Sequence, residues 1–538
     1  MGISLPVGRR PGGPRAVGYA RRVDVAVLVA GAGPVGLTLA CELERRGVDC
    51  RIVDAAPERA VVSRATDLHG RSLELWDHTG VADAILDAAV PITGAPLFSD
   101  GREVARLDFA GIDSPFPAAV SLRQRDLESL LEARLGREVE RGAAVELAGQ
   151  DDEAVALRLG TEELRARFLV ACDGVHSGLR DALGIAFEGG EYPGRWAVMD
   201  AELEGWPYGP GEIPVFLDHD GFWAMPLPGG ALRLFFRDDD AGDVPEVGEA
   251  QAVIDRHVPG GARIRQAENR ACFRLHHRVA GSFRAGRVLL AGDAAHAMTP
   301  VNGQGMNTGV QDAYNLAWKL DFALGGAPSA VLDSYEAERR PVAVTTVHGS
   351  GEVHDANVLA GEAAAARDRA LAAALATPAQ VLAAVEAGHE LGVAYPDSPI
   401  VDAAVAAGAP GVAPGARVPD AGPLVEAGGS VTSLRELLRA AEPQLWLCAG
   451  GAGPAAALSL AGRFAPAVRT RVFVIADRPP PGPSDVELLA DPALRVHGRL
   501  GAVSEAAYVV RPDGYLGFRC EPPEAERLAD HLGLLGLS

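Results

Sequence analysis

Hydrophobic and polar positions follow several different rhythms along the chain. Val23 to Ala30 is a short, nearly continuous apolar run with β-branched residues, the pattern of a strand buried on both faces. The turn Gly31-Ala32-Gly33-Pro34-Val35-Gly36 follows; Leu37 to Arg46 then has helical periodicity up to Gly47, and Val48 to Asp54 reads as a second strand. Two later apolar runs, Phe168 to Cys172 and Arg287 to Ala291, predict further buried strands, and a long helix is expected over Asn307 to Leu324. Between about Phe187 and Phe283 the pattern changes to aromatic, alternating segments such as Phe222 to Leu227 and Leu232 to Arg237, which predict an antiparallel sheet. Gly361 to Ala387 is Ala-rich and helical. Pro396 to Pro419, dense in Pro and Gly, reads as a linker into a last unit of strand, helix, strand and an Asp513-Gly514 hairpin.

Composition narrows the classes. With 538 residues the chain has room for about three domains, and 48% hydrophobic with 23% charged residues excludes disorder throughout. The net charge of −22 repels phosphate backbones, so neither nucleic acid nor an anionic membrane is expected as a partner. No apolar run reaches the roughly 18 residues of a membrane span. Six scattered cysteines, without C-x-x-C or metal-ligand spacing, predict reduced thiols in a cytoplasmic protein and no metal site. The arginine-rich residues 1–22 lack the apolar stretch of a signal peptide and read as a disordered leader. Lys319 is the only lysine, so a mechanism needing a catalytic lysine has to use that residue.

Gly31, Gly33 and Gly36 form G-x-G-x-x-G between a predicted strand and a predicted helix, and Asp54 closes the next strand 23 residues after Gly31. In such a unit Gly31 permits a tight turn, Gly33 a close approach of backbone N–H groups to a pyrophosphate, and Gly36 close helix–strand packing. The helix N-terminus stabilises the anion, and Asp54 would accept hydrogen bonds from a ribose 2′-hydroxyl. With Pro34 and Val35 between the glycines, these residues predict a Rossmann-like site for an adenine dinucleotide, FAD or NAD.

Two distant segments separate those cofactors. Leu169 to Gly174, continuing through Ser177 to Arg180, and Arg287 to Asp293 each place an Asp beside a Gly at a strand end. In this order after the glycine fingerprint they resemble the DG and GD motifs of the group A flavoprotein monooxygenases, the family of para-hydroxybenzoate hydroxylase and phenol hydroxylase, over about Val23 to Val344. The resemblance implies that FAD is bound, that Asp293 holds a ribityl hydroxyl, and that Asp173 and Arg180 serve both FAD and the reductant. It also implies that Gly305, Met306 and Asn307 meet the flavin ring, where a helix N-terminus suits the anion at N1 and C2=O of reduced flavin. Ser63-Arg64-Ala65 resembles a family segment whose arginine lies near the dinucleotide phosphates. Gln124 resembles the family's ribityl-contacting glutamine, but Arg123 stands in place of its proline, so Gln124, Arg123 and Arg125 all stay open for the cofactor face.

The fold so implied is α/β. A Rossmann-like FAD-binding domain over 23–186 and 283–345 is interrupted by an antiparallel substrate-binding domain over 187–282. A helical segment over 346–395 and a linker with a C-terminal domain over 396–538 follow. That last domain resembles the thioredoxin-like domain of phenol hydroxylase and polyketide-tailoring members, but Cys448 has no partner thiol at C-x-x-C spacing, so a structural or associating role is expected. A second G-x-G-x-x-A, from Gly451 to Ala456, reads as a decoy.

The reaction the resemblance implies starts with hydride from NADPH or NADH to FAD. O2 then meets reduced flavin, and a C4a-hydroperoxide passes one oxygen to an aromatic carbon. The expected substrate is a polycyclic phenol of polyketide type, as in antibiotic biosynthesis. Baeyer–Villiger insertion or epoxidation, and a flavin-binding partner protein without oxygenase activity, are the alternatives; the lone lysine speaks against a flavin halogenase. A small aromatic substrate is the expected partner, and a homodimer stays open. No catalytic base is forced, though His69, His219 and Tyr208 are candidates. Trp223, Met225 and Phe235 are expected to line the substrate pocket.

Overall fold

The computed structural model of the chain describes residues 23–60, 65–218, 221–239, 242, 244–402, 409–450, 453–466, 469–478 and 486–537. The leader, Arg64 and His219 lie outside these residues.

The first apolar run forms the strand Val25–Ala30 at the heart of an eight-stranded sheet. It runs parallel to Cys50–Asp54 on one side and to Glu162–Ala171 on the other, and Val288–Leu290 adds in parallel beyond. Helices on its faces explain why these strands carry no alternation: both sides of each strand are covered. The three chain segments singled out above therefore leave the C-terminal ends of neighbouring parallel strands, the position where open α/β sheets bind ligands. The helix Pro34–Arg45 follows the first, and Gln304–Leu324 packs against it. That close approach depends on Gly309, where a Cβ would sit 2.6 Å from the Val35 side chain and 3.1 Å from Gly292 Cα.

The second sheet has seven strands, running from Arg263–Phe273 through Trp196–Glu204, Leu232–Arg237, Phe222–Pro226 and Val215–Phe216 to Gly94–Ser99 and Arg102–Asp108. The last two are a hairpin from the first third of the chain, joined by parallel pairing of Val215–Phe216 with Gly94–Ser99. Strand alternation sorts the faces. Phe222, Leu234 and Phe236 pack with the helix Val247–His257 on one side, and Trp223, Met225 and Phe235 point to the other. Two helices, Gly361–Ala374 and Pro378–Gly388, bend by 107° at their junction and pack on the Arg102–Asp108 strand. Among the described residues no single helix is long and apolar enough to cross a membrane, though this bent pair has the length and composition.

The C-terminal unit is a mixed seven-stranded sheet. Its central strand, Gln444–Cys448, pairs in parallel with Arg471–Ala476 and antiparallel with Ala506–Val510. Cys448 and Cys520 are buried, and burial pushes both thiols up. Trp318 and Val331, from helices of the first unit, belong to the apolar core on one side of this sheet. Beside them, Lys319 and Arg511 both pair with Glu338 at 2.7 Å, and Arg511 also meets Asp513 at 2.6 Å, all essentially without solvent access.

Candidate active site

The ends of the parallel sheet and the inner face of the antiparallel sheet enclose a cleft of about 860 Å³, closed on a third side by the bent helix pair. One end of it is polar backbone. Gly31 has φ +110°, and a Cβ there would lie 2.2 Å from the Cys172 carbonyl, so the turn holds the two strand ends together. Gly36 packs over the same turn, and Gly33 caps the following helix with no side chain over its amides. Pro34 at N1 and Val35 complete the rim. Asp54 accepts hydrogen bonds from Ala32 N at 2.7 Å and Ala56 N at 2.8 Å, bracing the glycine turn from the next strand.

Gln124 lines the cleft and donates to Glu128 at 2.9 Å, whereas Arg123 turns away toward the Pro228 carbonyl and Asp200. Asp293, in a single 3-10 turn at the strand end, also lines the cleft. Gly305 and Met306 open the long helix at the cleft wall, where Gly303 leaves the helix without a side-chain cap. That helix begins at Gln304, three residues before the pattern predicts, because the Pro300–Gly303 turn leads straight into it.

Three expected cofactor contacts are positioned differently. The Asn307 side chain is fully buried: its Oδ1 accepts from His69 N at 2.9 Å and Ser72 Oγ at 2.7 Å, and its Nδ2 donates to the carbonyls of Asp67 and Gly303. Arg180 is also buried; it donates to the carbonyls of Val175 and Ala294 and lies 3.9 Å over the Phe187 ring. It ties the two Asp–Gly turns to each other instead of facing the cleft. Asp173 accepts from Leu179 N at 3.3 Å, while its Oδ1 is buried without a partner.

The other end of the cleft is apolar. Trp223 and Phe235 stack at 4.9 Å, and Met225 lies beside them, its sulfur 2.8 Å from Thr66 Oγ1. Tyr208 packs with Phe98, Trp206 and Phe216 on the opposite face of the sheet, away from the cleft. Among the described residues Arg274 is the one arginine of the lining.

Several participants escape sequence reasoning. Leu371, Leu375 and Val385 of the Ala-rich helices line the apolar end, although their segment shows only helical composition. Asp312 holds the second Asp–Gly turn: it accepts from Gly292 N, sits 2.6 Å from His296 Nε2 and accepts from Arg339 Nε at 2.7 Å. Burial opposes its charge, yet His296 and Arg339 hold the carboxyl below the usual carboxylate range. His389 lines the cleft with its ring 4.5 Å from that of His69, whose Nε2 is 3.5 Å from Asp67 Oδ2. Burial works against protonation of His69, but the Asp67 and Glu390 carboxylates outweigh it and hold the imidazole above its ordinary value. Burial and the His69 charge bring His389 down to about 4. A polar residue breaking the apolar face of the long helix, as Asp312 does, is the one signal that could have marked any of these.

FAD fits these donors. Two helix N-termini without side-chain caps open on one cleft, and a Cβ at Gly33 would meet no protein atom, so the space over that turn is free for a ligand. The comparisons bear on the same residues. A family model described as an FAD binding domain matches residues 24–350. A 6-methylpretetramide 4-monooxygenase of Streptomyces rimosus is 33% identical over 95% of this chain and 93% of its own length. The chain belongs to the group A flavoprotein monooxygenases. Within this family, a flavin-dependent monooxygenase of Mycobacteroides abscessus is 35% identical over 62% of this chain and 75% of the relative. The solved structure of OxyS anhydrotetracycline hydroxylase from Streptomyces rimosus aligns with TM-score 0.71 and 31% identity, covering 95% of this chain and 98% of that one. The flavin-dependent monooxygenase PieE, solved with FAD and substrate, aligns with TM-score 0.75 and 25% identity over 95% and 100%.

Proposed function

We propose that this monooxygenase hydroxylates a polycyclic aromatic compound of polyketide type, using FAD, NADPH or NADH, and O2. The observation that carries the reading is the continuity of one cleft, from the amides of the glycine turn, past the first turn of Gln304–Leu324, to the apolar wall of Trp223, Met225 and Phe235. Relatives named for tetracycline-type substrates favour a bulky fused-ring compound.

When bound, FAD supplies the redox chemistry, accepting hydride from the nicotinamide and passing one atom of O2 to the substrate. The Gly31–Gly36 turn and its helix would hold the pyrophosphate, with Asp54 toward a ribose and Gln124 and Asp293 toward the ribityl chain. The backbone N–H groups at Gly305 and Met306 would stabilise negative charge on the reduced ring. Trp223, Phe235 and the two bent helices orient the aromatic substrate and exclude water, which limits loss of reducing equivalents to peroxide. Arg274 is the cation at the cleft for an anionic nicotinamide cofactor to meet, since Arg180 is committed to backbone carbonyls. The last domain keeps a structural role in this reading.

The test is turnover of the FAD-loaded protein with a panel of fused-ring phenols, a nicotinamide reductant and isotopically labelled dioxygen. One labelled atom on an aromatic carbon is expected. A label in a ring ester would replace hydroxylation by Baeyer–Villiger insertion, and reductant consumption with no labelled product across the panel would overturn the oxygenase reading.

A further inference from the structure

His389 ends the second of the two bent helices, where its ring borders the cleft between the edge of Phe109, 5.0 Å away, and His69. Its Nδ1 lies 2.6 Å from the Val385 carbonyl. A carbonyl oxygen only accepts, so Nδ1 carries the proton and Nε2 of the neutral ring carries the lone pair. Both ring nitrogens of His69 are sealed in the interior without hydrogen bonds, whereas Nε2 of His389 is not. The neighbouring His69, drawn toward its charged form by Asp67, disfavours a second proton on His389, so the ring stays an acceptor.

The acceptor is also held in place. Glu390 closes the helix in the left-handed region, φ +61°, a conformation a glutamate adopts only when its surroundings impose it. Its carboxylate is buried and accepts from Thr308 Oγ1 and Gln311 Nε2. Both donors belong to the helix whose first turn, at Gly305 and Met306, borders the polar end of the cleft. The His389 ring is therefore indexed to the wall where the cofactor is proposed to lie.

We propose that His389 is the specificity-determining acceptor of the cleft: it receives a hydrogen bond from a hydroxyl on the aromatic substrate and selects phenols over their ethers. This rests on the reading of the cleft as a substrate site. The experiment titrates the FAD-loaded enzyme with β-naphthol and with its methyl ether, following the flavin absorbance. Wild type is expected to bind the naphthol about tenfold more tightly, roughly 1.4 kcal/mol. His389→Phe should keep its affinity for the ether within about twofold and lose the preference, while His389→Gln, which presents an amide oxygen, should keep part of it. If His389→Phe does not retain FAD, His389→Ala carries the same comparison. Persistence of the preference in the Phe or Ala variant, its absence in wild type, or an equal loss for both probes overturns the assignment. Hydroxylation is followed in parallel. A wild type that prefers the naphthol through His389 but never oxygenates it sinks the proposed function and leaves the acceptor standing; oxygenation without a His389-dependent preference sinks the acceptor alone. Binding of neither probe sinks both.

Discussion

The buried Asn307 side chain ties the start of its own helix to the Asp67–Ser72 segment through four hydrogen bonds, to His69, Ser72, Asp67 and Gly303. Replacing it with Ala strands two donors and two carbonyls in the interior. Asn307→Ala should cost about 2–4 kcal/mol in thermal or denaturant unfolding and lower FAD retention, because the helix start it braces is the cleft wall. At this scale the sequence is legible where a backbone conformation demands a residue type. Gly31 shows this, with its positive φ and its contact on Cys172. It is not legible where a polar side chain has two equally good uses. Asn307 and Arg180 have the chemistry of ligand contacts, and only packing shows that one braces a helix start and the other clamps two turns. His389 illustrates the converse, a lone histidine in an Ala-rich stretch that acquires a setting only through Val385 and His69.

Among the elements, the parallel strands were readable because burial on both faces writes an unbroken apolar run, and the antiparallel sheet because one-sided burial writes alternation. The hairpin Gly94–Asp108 was harder: its pairing with Val215–Phe216 spans more than a hundred residues, and no local pattern encodes a partner so distant. The helices Gly361–Ala374 and Pro378–Gly388 are the clearest gap. Alanine states helix propensity and little else, so nothing local says that Leu371, Leu375 and Val385 face a cleft. Their role has a direct test. Leu375→Trp fills the apolar end, and it should raise KM for a fused-ring substrate about tenfold through overpacking while FAD content and stability stay near wild type. An unchanged KM would place the substrate elsewhere.

For the molecule as a whole, the C-terminal unit is locked to the first by ion pairs, one partly exposed set at Asp77 and one buried set at Glu338, as well as by apolar contact. Asp77 receives Arg435 at 2.9 Å and Arg439 at 2.7 Å, and Glu338 joins Lys319 to Arg511. Removing the central carboxylate leaves Lys319 buried without its ion-pair partner and Arg511 with Asp513 alone, so Glu338→Gln should destabilise the protein by about 3–5 kcal/mol, read as a lower unfolding midpoint. Burial disfavours the charges of Asp77, Asp312 and Glu338, but their arginine, histidine and lysine partners prevail and hold all three carboxyls below the usual range. Folded values below the unfolded ones mean stability that is complete above about pH 4 and lost as pH falls through the folded values. Acidification below about pH 4 should therefore release the two units, whereas titration in the neutral range should leave them joined, and fluorescence of Trp318, buried with its indole N–H on Asp513, reports it. The three-part order of the chain was visible in composition shifts, but this lock was not, because its members lie as many as 362 residues apart.

The lock has a chemical consequence as well. The single lysine of the chain sits inside it with no solvent access. Apart from a chain terminus, the folded enzyme then offers no primary amine to an acylating reagent. A mapped adduct on Lys319 should form only when the C-terminal unit lets go, which makes this one side chain a built-in reporter of interdomain opening; rapid modification under native conditions would contradict the sealed junction.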